Sequence, residues 1–185
     1  MSMLSTSVGS AGLERVTVMQ GEAHASADPK VELSTVLGSC VATCLYDPVA
    51  RIGGMNHFLL AEPPSTRSRE TFDEHYGLFL MELLVNKMLG LGAFKSRLKA
   101  RIYGGANLNP AMSPIGTANG AFAHKFLQNE GIPVAFEDLG GRAARRIHFM
   151  PASGMVRCRT APIESAPMDK PLVRPQSASG DVELF

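Results

Sequence analysis

Two apolar runs joined by an Asp-Pro turn constrain the fold of this chain more than any other feature. The first, CVATCLYD (residues 40–47), alternates along a strand so that Cys40 and Cys44 lie on one face. The second, IGGMNHFLLA (residues 52–61), places His57 in another apolar strand. Because Asp-Pro favours a turn between the two runs, we predict two consecutive strands that pair with each other.

The rest of the middle of the chain alternates between helix and strand patterns. The stretch YGLFLMELLVNKMLG repeats leucine and methionine at three- and four-residue spacing, which predicts a helix that ends near Gly90 or Gly92. A second helix is predicted from Thr117 to Glu130, with Gly131 ending it. A short strand is predicted at the start of LERVTVMQGEAHAS, and others in LKARIYGGA, IPVAFEDLGG, RRIHFMP and GMVRCR. These elements predict an α/β or α+β layered sandwich with a mixed or antiparallel sheet core.

Composition indicates a single globular domain with loose ends. The 185 residues are 45% hydrophobic and 19% charged, which is ordinary for one domain with its own core. We predict that domain at residues 11–160. Residues 1–10 are rich in serine and glycine and residues 161–185 in proline and serine, so we predict a flexible N-terminus and a disordered tail.

Charge, hydropathy and cysteine content limit the partners and the compartment. The 18 basic and 17 acidic residues nearly cancel, which argues against nucleic acid and anionic membranes as partners. No run approaches the roughly 18 to 20 apolar residues of a membrane helix, and the first residues lack the pattern of a signal peptide. Three cysteines do not indicate a disulfide framework. We therefore predict a cytoplasmic protein, by default a monomer.

A cysteine directly after Gly-Ser is the first candidate for chemistry. Gly38 lets the backbone turn tightly where a loop meets the first strand, which exposes the N–H groups near Ser39 and Cys40. Such N–H groups could stabilise the oxyanion that forms when the Cys40 thiol attacks a carbonyl group. The alternative is a buried core cysteine without a catalytic role.

His57 is the second candidate, because a histidine in an apolar strand needs partners for its ring nitrogens. It is either a core histidine bonded to the backbone or the base that deprotonates Cys40 and protonates the leaving group. Pairing of the two strands permits the second interpretation. A third residue would orient the imidazole. Thr35 and Ser34 lie just upstream of Cys40, whereas Asn56 points to the opposite strand face.

Other cysteine and glycine patterns point to no cofactor. Cys40 and Cys44 are about 13 Å apart on an extended strand, which is too far for a disulfide. Cys158 is remote from both in sequence, so we expect no metal site and no cofactor. The YGGAN stretch (residues 103–107) lacks the pattern of a phosphate-binding loop, and we interpret its glycines as a turn that lets the backbone approach the site.

Two segments are candidates for contact with a partner. Residues 61–75 (AEPPSTRSRETFDEH) are polar and rich in proline and serine, which predicts a loop at the rim of the site. Arg142, Arg145 and Arg146 form a small basic cluster, which is either a solvated face or a contact for an acidic partner.

Five motifs follow one another over about residues 32–159. They are LGSCVATCLYDP, GGMNHFLL, RIYGGANL, IGTANGAF and EGIPVAFEDLGGRAARRIHFMPASGMV. As an ordered set they resemble the CheD family, the chemoreceptor glutamine deamidases of bacterial chemotaxis. The resemblance implies a cysteine-hydrolase-like deamidase fold, an α/β sandwich.

The resemblance also implies a reaction and its residues. A protein-glutamine glutaminase would convert glutamine side chains of methyl-accepting chemotaxis receptors to glutamate, through a thioester and with release of ammonia, and without a cofactor. The nucleophile would be the cysteine of the GSC motif, Cys40, and the base would be His57. A threonine upstream of the cysteine completes the family triad. Thr35 matches it by residue type, whereas an ungapped count selects Ser34. Gly38 and Ser39 would support the oxyanion.

Partners and alternative functions follow from the same resemblance. The receptors would be the protein substrate, a CheC-like phosphatase would be a second partner, and the chain would be recruited to receptor arrays. Two other functions stay open: an adaptor for such a phosphatase, or a general cysteine amidohydrolase with another substrate. The presence of both Cys40 and His57 argues against a pure adaptor.

Overall fold

The structure is a computed structural model that describes residues 12–60, 74–111 and 114–166. Within these ranges the chain forms nine strands and two α-helices. The strands are β1 (Glu14–Thr17), β2 (Glu22–Ser26), β3 (Val31–Leu37), β4 (Val41–Asp47), β5 (Ile52–His57), β6 (Lys99–Gly104), β7 (Val134–Leu139), β8 (Ala144–Met150) and β9 (Met155–Ala161). The helices are α1 (His75–Gly90) and α2 (Ile115–Asn129), with short 3-10 turns at Lys95–Arg97 and Ile163–Ser165.

The strands form two sheets. One sheet has the strand order β1-β3-β8-β9, and within it β1 and β3 run parallel while the other pairs are antiparallel. The other has the order β2-β5-β4-β6-β7 and is antiparallel except for the parallel pair β6–β7. The predicted layered α+β fold with a mixed sheet core and two main helices is confirmed.

The two sheets and the helices pack as three layers. The inner faces of the sheets share one apolar core, with Leu33 and Phe149 from the four-stranded sheet and Met55 from the five-stranded sheet. Helices α1 and α2 cover the other face of the five-stranded sheet, where Phe58 and Leu80 belong to a second core. Strands β4 and β5 are therefore buried on both faces, which explains their nearly continuous apolar sequences.

The helices lie close to their predicted positions. Helix α1 ends at Gly90, as predicted, and its buried residues recur at helical spacing: Gly77, Leu80, Met81, Leu84, Val85 and Met88. Helix α2 begins at Ile115, two residues before the predicted start, and Gly131 with φ 68° follows its end. No helix in the described ranges is long and apolar enough to cross a membrane.

Strand β3 is a central strand that the sequence analysis did not predict. Its residues Glu32 and Ser34 are polar, yet both are buried. Glu32 is stabilised there because Arg15 and His148 donate hydrogen bonds to its carboxylate. The LERVTVMQGEAHAS stretch likewise forms two strands, β1 and β2, which belong to different sheets, instead of one short strand.

The predicted boundaries meet the structure at three places. The loop predicted at residues 61–75 does not extend to His75, which is the first residue of α1, and residues 61–73 lie outside the described ranges. Ordered structure continues past residue 160, because Ala161 ends β9 and a 3-10 turn follows. Residues 1–11 and 167–185 lie outside the described ranges.

Candidate active site

The register of β4 and β5 brings Cys40 and His57 together. Val41 and Phe58 exchange both backbone hydrogen bonds, at 3.0 and 2.9 Å. Cys40 precedes Val41 and Leu59 follows Phe58, so Cys40 and Leu59 lie opposite each other across the strand pair. Cys40 and His57 are therefore diagonal neighbours on one sheet face. Diagonal partners of this kind are within reach of each other's side chains. Both side chains are almost completely buried, at 3% and 2% relative exposure.

The loop before β4 (residues 38–40) is held in place by hydrogen bonds that its carbonyl groups accept. Ala106 N donates to Gly38 O at 3.0 Å and Gly105 N donates to Cys40 O at 2.8 Å. Asn119 Nδ2 donates to Ser39 O at 2.8 Å. In a trans peptide the N–H of the next residue points away from the C=O, and no described peptide bond is cis. The N–H groups of Ser39 and Cys40 are thereby directed away from the segments that bind these carbonyls.

The double glycine after β6 makes this approach of the backbone possible. Gly104 has φ 107°, and a Cβ atom on it would lie 2.2 Å from Cys40 O. Gly105, whose N–H donates to the same oxygen, has φ 62°. Both conformations favour glycine. The close backbone approach that we expected from the YGGAN stretch is present at the loop that carries Cys40.

A buried hydrogen-bond network fixes the tautomer of His57. Thr35 Oγ1 lies 2.8 Å from Val18 O and 2.9 Å from His57 Nδ1. A carbonyl oxygen cannot donate, so the Thr35 hydroxyl proton goes to Val18 O, and the threonine oxygen must accept from His57 Nδ1–H. Val18 O lies 3.2 Å from the same Nδ1 and is a second acceptor. The neutral imidazole therefore keeps its lone pair on Nε2.

The structure separates the two residues that the sequence left open as orienting groups. Thr35 lies on the inner face of β3, in contact with His57. Ser34 lies on the opposite face, where its position pairs with His148 of β8. Asn56 also faces away from the site: its Oδ1 accepts from Thr43 N, and its Nδ2 donates to Leu80 O of α1. Thr35 is brought to the imidazole, whereas Ser34 and Asn56 are not.

Asn119 is a residue of the site that sequence reasoning missed. It is fully buried, and its Oδ1 accepts from Leu60 N at 2.9 Å while its Nδ2 donates to Ser39 O. It thus links the loop before Cys40 to the chain that follows His57. The signal was an asparagine within the apolar face of a predicted helix, in the IGTANGAF motif.

The turn between β1 and β2 forms the third side of the site. Gly21 N donates to His57 O at 2.8 Å, and Cys40 Sγ lies 3.8 Å from Gln20 Oε1. Glu22 occupies the position opposite His57 on β2. A hydrogen bond from Met19 N, together with nearby histidine charge, lowers the pKa of Glu22. The turn therefore places an ionised carboxylate near the imidazole.

The other two cysteines are poor nucleophiles. Burial raises the pKa of the Cys44 thiol far above its ordinary value. Burial, reinforced by the carboxylate of Asp138, raises the pKa of Cys158 to about 11. Since the thiolate is the reactive form, neither cysteine attacks a carbonyl group readily near neutral pH. Cys40 is the cysteine that lies beside a histidine and an N–H-bearing loop.

Comparisons with known proteins agree on one family. The family model described as CheD chemotactic sensory transduction matches residues 59–160. A relative from Caulobacter sp. (strain K31), named "Probable chemoreceptor glutamine deamidase CheD", is 49% identical over 92% of this chain and 93% of its own length. A relative from Zymomonas mobilis with the same name is 49% identical over 93% of each chain.

Solved structures show a more distant likeness. The crystal structure of the Bacillus licheniformis hypothetical protein YfiH is 16% identical to this chain and aligns with a TM-score of 0.43. The alignment covers 62% of this chain and 49% of that one.

Proposed function

Because the chain belongs to the CheD family, we propose that it deamidates glutamine side chains of chemoreceptors, as a protein-glutamine glutaminase. The observation that carries the proposed chemistry is the buried Thr35–His57–Val18 network next to Cys40. Because Thr35 binds Nδ1 of His57, the nitrogen that acts as the base is Nε2, on the side of the ring away from Thr35. A thiol, an oriented base and a loop that presents N–H groups are the parts that cysteine hydrolysis of an amide requires.

In the first half of the reaction, His57 Nε2 takes the proton of the Cys40 thiol. The Cys40 sulfur forms a bond to the side-chain carbonyl carbon of the substrate glutamine, and the C=O electron pair moves to the oxygen. The N–H groups of Ser39 and Cys40 hold that oxyanion. The imidazolium that forms is stabilised by Thr35 Oγ1 and Val18 O, which accept from Nδ1.

In the second half, His57 Nε2–H protonates the amide nitrogen as the C–N bond breaks. Ammonia leaves and a thioester remains on Cys40. Neutral His57 then takes a proton from water, and the hydroxide attacks the thioester carbonyl. The C–S bond breaks, the thiol regains the proton from the imidazolium, and the product is a glutamate side chain. The cycle consumes one water molecule and needs no cofactor.

The burial of the two reacting side chains limits how a substrate reaches them. Cys40 and His57 are both buried, and Gln20 of the β1–β2 turn lies against the Cys40 sulfur. A glutamine has a long, flexible side chain, which can extend from a protein surface into such a recess, whereas a backbone amide cannot approach as closely. The geometry thus favours side-chain amides over peptide bonds as substrates.

Partner and location form part of the same proposal. We assign the chain to receptor arrays in the cytoplasm, where it acts as a monomer on receptor substrates. A CheC-like phosphatase is its second partner. Membership of the family supports the receptor as the substrate. Co-purification of the chain with receptor fragments and with such a phosphatase from cognate cells tests them directly.

Mass spectrometry of a purified cytoplasmic fragment of a cognate chemoreceptor tests the reaction. The wild-type protein should convert specific glutamines to glutamate, whereas Cys40→Ala and His57→Ala should not. Cys158→Ala is the matched control, because Cys158 has a raised pKa and lies outside the site, and it should keep wild-type activity. Conversion by Cys40→Ala at the wild-type rate would exclude Cys40 as the nucleophile.

A further inference from the structure

The basic cluster of the sequence is divided by the structure. Arg145 turns inward, where its guanidinium donates to Asp138 at 2.8 Å and is mostly buried. Arg146 points outward from β8 instead and lies directly opposite Arg159 of β9. Arg157, two residues before Arg159, also points outward. Arg146, Arg157 and Arg159 therefore share the outer face of the four-stranded sheet, and we call these three residues the arginine face.

None of the three arginines of the arginine face forms an ion pair with another residue that the structure describes. All three arginines are exposed, and the ion pairs and hydrogen bonds among described residues include none of them. Glu32 is the carboxylate among the described strand residues that point outward from this sheet. It is buried and already accepts from Arg15 and His148. Positive charge that no described residue pairs with is thus concentrated at the β8–β9 edge.

Among the described residues, this arrangement of like charges is unfavourable for the fold. Like charges directly opposite each other on neighbouring strands are destabilising, by roughly 0.2–1 kcal/mol, and Arg146 and Arg159 form such a pair. Guanidinium groups present fixed pairs of N–H donors that match carboxylates. A protein surface that carries carboxylates would relieve the repulsion and satisfy these donors at the same time.

The arginine face lies near the loop that carries the nucleophile. Arg146 is opposite Val36 on β3, and Cys40 follows Val36 by four residues. Four residues of extended chain span at most about 14 Å. An ordinary protein interface covers roughly 800 Å² on each partner. A protein that presents a glutamine at Cys40 therefore has enough footprint to contact Arg146 and Arg159 as well.

We propose that the arginine face is a docking surface for the receptor substrate and binds carboxylates that lie near the reactive glutamine. This inference rests on the proposed function and adds a substrate preference to it: glutamines on acidic protein surfaces react fastest. The contact accelerates association through charge attraction, so its effect falls as salt concentration rises.

Matched charge reversals test the docking surface. Arg157→Glu/Arg159→Glu reverses two charges on the face, and Lys87→Glu/Lys125→Glu reverses two exposed charges on the helices, with the same change in net charge. The assay is kcat/KM on a purified cytoplasmic receptor fragment and on a short neutral glutamine peptide, each at low and at physiological salt. Affinity for the fragment is measured in parallel in a Cys40→Ala background.

We expect the arginine reversal to lower kcat/KM on the fragment by about tenfold or more at low salt and to abolish the salt dependence. The lysine reversal should stay within about twofold of wild type, and both should leave the peptide reaction unchanged. The melting temperature should not fall in the arginine variant, because Glu at position 159 would face Arg146 across the strands and replace repulsion with attraction.

Other outcomes overturn the proposal in identifiable ways. Equal losses in both reversals, or no loss in either, would remove any special role for the arginine face. If the arginine reversal left the affinity for the fragment unchanged and lowered the melting temperature, the arginines would pair instead with the chain's own acidic residues beyond residue 166. Unchanged fragment affinity with lost binding to phosphatidylglycerol vesicles would assign them to a membrane.

The same data separate this inference from the deamidase proposal. A fragment that binds through the arginines but is never deamidated by the wild-type protein would refute the proposed reaction and leave the docking surface standing. A fragment that is deamidated equally well by both reversals would refute the docking surface and leave the reaction standing.

Discussion

Replacing Thr35 by valine removes one oxygen from the site and keeps its shape. The hydroxyl is the nearer of the two acceptors for His57 Nδ1–H, at 2.9 Å, and Val18 O is the farther one, at 3.2 Å. The variant therefore keeps the Nδ1–H tautomer through Val18 O. What it loses is the stronger of two hydrogen bonds to an imidazole that becomes positively charged in the proposed reaction.

The expected loss follows from that charge. A hydrogen bond to a charged group contributes roughly 1.5–3 kcal/mol, which corresponds to about 10- to 150-fold in rate. Because Val18 O still accepts from Nδ1, we expect Thr35→Val to fall toward the lower end of that range. The loss should appear in kcat and leave KM nearly unchanged, since Thr35 acts through His57 and does not contact the substrate.

Steady-state deamidation of a receptor fragment measures this effect, with two controls. Thr35→Ser keeps the hydroxyl and should retain most of the activity. Ser34→Ala removes the neighbouring hydroxyl on the opposite strand face and should react like the wild type. A Thr35→Val protein that is folded and keeps more than half of the wild-type kcat would refute the network as the device that orients His57. So would a Ser34→Ala protein with the larger defect.

Three further changes have outcomes that the structure fixes. Iodoacetamide at neutral pH should alkylate Cys40 in the native protein, because His57 takes its proton in the proposed reaction, and should spare Cys158, whose pKa of about 11 leaves almost no thiolate; peptide mapping that finds both labelled at similar rates would contradict this. Asn119→Leu should lower both activity and the melting temperature, because Ser39 O and Leu60 N lose their buried partner, at about 1–3 kcal/mol for each unsatisfied group. Burial alone would raise the pKa of Asp47, but hydrogen bonds from Ala50 N, Phe94 N, Arg97 and Val49 N hold it at about 2, below its ordinary 3.8. The resulting stabilisation of about 2 kcal/mol is complete above pH 4 and lost as pH falls toward 2, so acid unfolding curves of Asp47→Asn should lack this step.

The pairing of Cys40 with His57 could be predicted because it depends on local sequence alone. Two strands joined by a short turn pair with each other, and strand alternation decides which side chains share a face. Both facts are readable within residues 40–60. The same argument correctly excluded Asn56, which contacts α1 instead.

Two groups that hold this site, Val18 and Asn119, could not be predicted, because they come from distant parts of the chain. Val18 lies 39 residues before His57, and Asn119 lies 80 residues away from Ser39. No periodicity within a window of sequence reports such contacts. Strand β3, whose inner face carries Thr35, also could not be recognised from the sequence. Its outer face holds polar residues, and Glu32 is buried there by contacts with Arg15 and His148, which are distant in sequence.

Most of the geometry around Cys40 is supplied by backbone groups. The loop carbonyls are bound by Gly105 N and Ala106 N, and the carbonyl of His57 is bound by Gly21 N. Backbone donors do not change rotamer, so the groups of the proposed reaction are held before a substrate arrives, and that reaction needs little reorganisation as the oxyanion forms. Apart from proline, no substituted side chain removes these donors, but a methyl group at Gly104 would displace Cys40 O, from which it would lie only 2.2 Å. The sensitive positions of this site therefore include Gly104, which lets the backbone pack against Cys40 O.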